Sequence, residues 1–95
     1  VRFTTQDFKD WSIMVEGGAS RVDASVRILK IKEPELQPRL AGAYDRAMQF
    51  YRTSSGSFYD NSLAMRCWVR ALAPDREVTF ESEDATRFYV WEGQE

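Results

Sequence analysis

Histidine is missing from all 95 residues, and cysteine occurs once. Without an imidazole there is no Ser-His-Asp or Cys-His relay, no histidine acid–base catalysis and no His-containing zinc site. A single thiol builds neither a disulfide nor a cysteine-rich metal centre. The expectation is therefore a reducing, intracellular setting, alone or inside a larger complex. Cys67, although near Arg66 and Arg70, reads as a small apolar filler on a helix flank rather than a reactive thiol. Neither a metal nor an organic cofactor is expected.

Glycine (5) and proline (3) are also sparse, and no apolar run approaches a membrane span of about 20 residues. No charged-then-apolar signal opens the chain. Val1 in place of Met leaves both a removed leader and a trimmed chain open. The run Ser54-Ser55-Gly56-Ser57 lacks the further glycines and the lysine of a phosphate loop. Glu81, Glu83 and Asp84 lack the alternate spacing of a calcium loop. No motif is specific to a known family, and the chain reads as non-catalytic.

What is present is a globular composition, 43% hydrophobic and 29% charged, sized for one domain over residues 1–95. The net charge of −2 argues against a generic polyanion binder. The charge is unevenly spread: residues 75–95 hold seven acids and two arginines, a net −5, while residues 1–74 carry +3. Ten of the thirteen bases are arginine, the side chain suited to bidentate contacts.

Patterning predicts an α+β fold, in which two antiparallel helices pack on one face of a small antiparallel sheet built from an N-terminal and a C-terminal hairpin. Residues 1–4 read as a strand. Residues 5–16 read either as a helix capped by Thr4, with Phe8, Trp11 and Val15 on one side, or as a strand. The pair Gly17-Gly18 favours strand–turn–strand. Val22, Ala24, Val26 and Ile28 alternate with polar residues as in a strand, and a phase change at Leu29 and Ile31 reads as a bulge. A first helix is predicted over 35–53, with Leu36, Leu40, Ala43, Tyr44, Ala47, Met48 and Tyr51 on its apolar stripe and Pro38 in its opening turn. A second begins at a Ser57 cap, carries Phe58, Met65, Trp68, Val69 and Leu72 inward, and stops at Pro74. Residues 77–81 and 86–92 complete a hairpin.

Two candidate surfaces follow. Phe88, Tyr89, Val90 and Trp91 place bulk on both faces of one strand, and Leu29 and Ile31 repeat the difficulty. Two helices cover one face only, and each large side chain left in water forgoes roughly 1.5–3 kcal/mol. These six residues are therefore expected to meet a protein partner or a second copy, unless residues 5–16 fold over that face as a helix. The second surface consists of Arg39 and Arg46 on the first helix and Arg66 and Arg70 on the second, an arginine-lined pair. It would take an anion, an acidic partner or, as the alternative function, nucleic acid. The function expected first is a non-catalytic interaction or structural module within an assembly.

Overall fold

A computed structural model of the chain describes residues 1–54 and 60–81. Among the described residues four helices dominate, α1 (Thr5–Glu16), α2 (Arg21–Lys32), α3 (Ala43–Ser54) and α4 (Asn61–Leu72). Two short strands, β1 (Arg2–Phe3) and β2 (Thr79–Phe80), form a parallel ribbon with Arg2 opposite Thr79 and Phe3 opposite Phe80. This overturns the predicted α+β architecture, because no antiparallel hairpin exists among the described residues.

The N-terminal third is a helical hairpin. Thr4 accepts from the Asp7 amide, and the Asp7 carboxylate accepts in return from the Thr4 amide at 2.8 Å, a reciprocal capping box. Gly17 donates to the Ile13 carbonyl, and Gly18 takes the positive φ of 109° needed to leave the helix. The glycine pair thus makes a helix exit instead of a β-turn. Ser20 then caps α2 by accepting from the Asp23 amide.

The predicted strand over 22–31 is α2. Its buried residues are Ala24, Ser25, Ile28 and Leu29, two adjacent pairs separated by one helical turn. The phase change at Leu29 was therefore helical periodicity and not a bulge. Short stretches of alternation are shared by both periods, and the Ser20-to-Asp23 cap together with Lys30 and Lys32 in the last turn tips this one to helix.

The predicted first helix is also shortened. Residues 33–42 form an irregular connector, and α3 begins only at Ala43. Pro34 and Pro38 bias the residues before them away from helical ψ, and Pro38 has no amide to donate. The predicted second helix starts later than expected. Its cap is Asp60, whose carboxylate accepts from the Ser62 and Leu63 amides, while Ser57 lies outside the described residues.

Helix α4 is the axis of the fold. Leu63, Ala64, Met65, Cys67, Val69, Ala71 and Leu72 are all buried, and α4 packs on α3, α2 and α1. Around it one apolar cluster joins Phe3, Trp11, Ile28, Leu29, Leu36 and Phe80. Inside that cluster Trp11 Nε1 donates to Ser25 Oγ at 2.9 Å, and Ser25 Oγ donates in turn to the Arg21 carbonyl at 2.7 Å. The ribbon closes the other end: Phe3 and Phe80 stack at 5.3 Å, with Lys32 over the first ring and Arg70 over the second.

Candidate protein-contact surface

Of the six residues predicted to meet a partner, Phe88, Tyr89, Val90 and Trp91 lie outside the described residues. Leu29 is fully buried in the core between α2 and its neighbours. Ile31 stands on the outer side of α2, 68% exposed, so the two residues expected to share a role are separated by the helical turn.

The arginines do not form the predicted row. Arg39 sits in the connector, not on a helix, and its guanidinium pairs with Asp75 at 3.3 Å. Arg46 Nε donates to the Ala71 carbonyl at 2.9 Å and Nη2 to the Arg39 carbonyl at 3.0 Å. Arg66, expected on a polar face, is 3% exposed and donates to Ser62 Oγ at 2.7 Å. Arg70 donates to the Val78 carbonyl and covers the Phe80 ring. Three of the four guanidiniums hold the fold together from within.

The arrangement around Arg46 builds a defined surface. The last carbonyls of α4 have no partners along their own helix. Arg46 supplies one for Ala71, and the Arg39 amide supplies one for Leu72 at 2.9 Å. The connector is thereby fixed to the end of α4. It then turns tightly: the Ala43 amide donates to the Leu40 carbonyl, and Gly42 adopts φ 73°. The positive φ favours glycine there, and a Cβ at Gly42 would lie 3.1 Å from Arg46 Nη1, so the end of the Arg46 side chain would have to shift by a few tenths of an ångström.

This fixed turn presents apolar bulk to water. Leu40 is 64% exposed and Tyr44 is 63% exposed, four positions apart across the turn. Tyr44 leans on the half-buried Trp68 of α4, with ring centroids 6.2 Å apart. Two ion pairs flank the turn where the connector runs beside residues 75–76. They are Arg39 with Asp75 and Arg76 with Glu33, the latter at 3.9 Å. Leu40 and Tyr44 carried the right signal in the sequence, being large and apolar, but were read as part of an inward stripe. The flanking Pro38 and Gly42 were the marks of a turn.

Elsewhere the chemistry is quiet. Burial pushes the Cys67 thiol up to about 11, against the opposing pull of Arg66 and Arg70, so it stays protonated. Asp7 is shifted the other way. Burial raises its pKa, but the hydrogen bonds from Lys32 and Thr4 and the Lys32 charge outweigh that and hold it below the ordinary carboxylate value. Among the described residues no pocket is found, no group of three metal-ligating side chains comes together, and no helix is long and apolar enough to cross a membrane.

No known protein family, characterised protein sequence or solved structure matches this chain.

Proposed function

We propose that the chain is a non-catalytic protein-contact module that works within a reducing compartment and meets its partner through the turn carrying Leu40 and Tyr44. One observation carries the reading: two large side chains are held outward by a turn that is itself pinned to the core by Arg46. A flexible loop would fold such side chains inward at little cost, whereas a braced turn keeps them in water and removes part of the ordering cost of binding. Single exposed apolar residues need no explanation, and Ile13 and Ile31 are of that kind. Leu40 and Tyr44 differ because they lie four positions apart on one braced turn and Tyr44 packs on a half-buried tryptophan, tyrosine and tryptophan being residue types that dominate contact energetics.

The nucleic-acid reading is the weaker one. It relied on four guanidiniums side by side, and Arg46, Arg66 and Arg70 spend theirs on the protein's own carbonyls, hydroxyl and ring. The deciding experiment is recovery of native complexes with the tagged full chain, wild type against Leu40→Ser/Tyr44→Ser. The expected result is a stoichiometric protein partner, or a differently tagged second copy, that is lost with the double variant. A partner retained undiminished, or RNA or DNA bound at low salt in its place, would overturn the reading.

A further inference from the structure

We infer that residues 82–95 fold back on their own chain and dock Phe88–Trp91 against the apolar face of the α1–α2 hairpin that is turned away from α4. The inference goes beyond the contact reading and uses none of its residues. Two contacts set the antiparallel register of the hairpin, Trp11 with Ser25 at 2.9 Å and Asp7 with Lys32 at 2.8 Å. On α2 the side bearing Ala24 and Ile28 is buried, and Arg21, on that same side, donates to Asn61 at the start of α4 at 3.0 Å. Val22 and Val26 stand on the opposite side of the Ser25–Lys32 line and are only half-buried. Because the helices are right-handed and antiparallel, Phe8 and Val15, seven residues apart on one stripe of α1, flank this same side. Both are half-buried, and Phe8 stacks on Trp11 with ring centroids 6.0 Å apart. Among the described residues the main packing partner of the hairpin is α4, which lies on the other side.

The occupant follows from where the described chain stops. Glu81 comes directly after β2, and its carboxylate accepts from the Thr5 amide at 3.0 Å. The segment therefore leaves beside the first turn of α1, one turn from Phe8. Six residues, 82–87, separate Glu81 from Phe88. They span up to about 20 Å, and a 12-residue helix is about 18 Å long, so Phe88 reaches any part of the hairpin. Phe88-Tyr89-Val90-Trp91 is the longest uninterrupted apolar run in the chain. Charge acts in the same direction. The two helices together hold five bases and four acids, a net +1, and Lys9, Arg27 and Lys30 among them are exposed. Residues 82–95 carry Glu83, Asp84, Glu92 and Glu95 against Arg87, a net −3. A tether this short holds the run at an effective concentration on the order of millimolar, so its own hairpin is filled before that of a second copy.

The test is amide exchange on the full chain, read by mass spectrometry at two protein concentrations, with light scattering to give the mass. In wild type the amides of residues 86–92 are expected to exchange roughly tenfold or more below the rate of unprotected amides. Val22→Gln/Val26→Gln removes the apolar face with a residue that suits a helix, and is expected to release residues 86–92 while α4 stays protected. Phe88→Ser/Trp91→Ser works from the other side, and is expected to speed exchange in α1 and α2 and leave α4 unchanged. Either variant decides the question if the other fails to fold.

Fast exchange of residues 86–92 in wild type would overturn the inference. So would protection that survives Val22→Gln/Val26→Gln, since the run would then lie elsewhere. Protection that fades on dilution, with twice the 11.0 kDa chain mass at the higher concentration, would place the run on a second copy and overturn the intrachain assignment. None of these results bears on Leu40 and Tyr44, so the contact reading stands or falls separately.

Discussion

Replacing Arg46 by methionine tests whether one side chain ties α3, the connector and the end of α4 together. Methionine keeps most of the apolar stem, so the loss is concentrated in the guanidinium. Two hydrogen bonds disappear, to the Ala71 and Arg39 carbonyls. Arg39 is exposed, and water takes up its carbonyl. Ala71 is buried at the end of α4, and an acceptor stranded there costs about 1–3 kcal/mol. The expected destabilisation is about 2 kcal/mol, which for a domain of this size lowers Tm by roughly 8–16 °C. Arg46→Lys keeps the charge but not the fork, and a single ammonium does not span both carbonyls, so about half the loss is expected. Gly42→Ala strikes the same brace from the other side, through its φ of 73° and the 3.1 Å approach to Arg46. Thermal and urea unfolding of all three variants, with amide exchange at Arg39 and Ala43, gives the readout. A stability change under about 0.5 kcal/mol for Arg46→Met, with exchange at both amides unaltered, would refute the bracing argument, since surface substitutions without a structural role fall in that range.

Three further perturbations probe the rest of the fold. Ser25→Ala strands the buried Trp11 N–H and is expected to cost about 1–3 kcal/mol, and a cycle with Trp11→Phe should recover part of this as coupling; strict additivity in urea midpoints would contradict the hydrogen bond. Because the folded pKa of Asp7 lies below its ordinary 3.8, its contribution is complete above that value and fades as pH falls through the lower folded value. Asp7→Asn should therefore cost about 1 kcal/mol at pH 7, in line with a lost cap, and much less at pH 2; equal losses at both pH values would be inconsistent. With its pKa near 11, Cys67 exposes about one thiolate in a thousand at pH 8 even before access is considered, so labelling by a disulfide reagent should be slow and follow unfolding on adding urea, and fast labelling of the native chain would show the site to be open.

Much of the helical half was legible in the sequence. The predicted stripe of the second helix holds at Met65, Trp68, Val69 and Leu72, with its stop before Pro74, because those residues recur at helical spacing, while Phe58, its first member, lies outside the described residues. Thr4 as a cap and Phe8, Trp11 and Val15 on one side were also readable, and the glycines diverted the reading. A residue with positive φ ends a helix as readily as it forms a hairpin, so Gly18 alone decides nothing. What distinguishes the two outcomes is the Ser20 cap two residues later, which announces another helix.

The candidate surface was harder to read for a different physical reason. Charge alone suggests solvated arginines, yet Arg46 donates to an Ala71 carbonyl that only the folded chain brings near it, and Arg66, bonded to Ser62 one turn back on its own helix, is buried. The Ala71 carbonyl lies 25 residues from Arg46, and nothing in either local sequence marks the pairing. Apolar Leu40 was assigned inward because Leu36 and Ala43 continue its phase, and both of those are buried. The departure of Leu40 follows from Pro38 and Gly42, which take the backbone out of helix around it and so rotate one member of the stripe to the outside. Periodicity locates a core only where the backbone that generates the period is intact. A large apolar residue caught between a proline and a glycine is therefore better read as a candidate for the surface, and here that surface is the one the Arg46 brace holds in place.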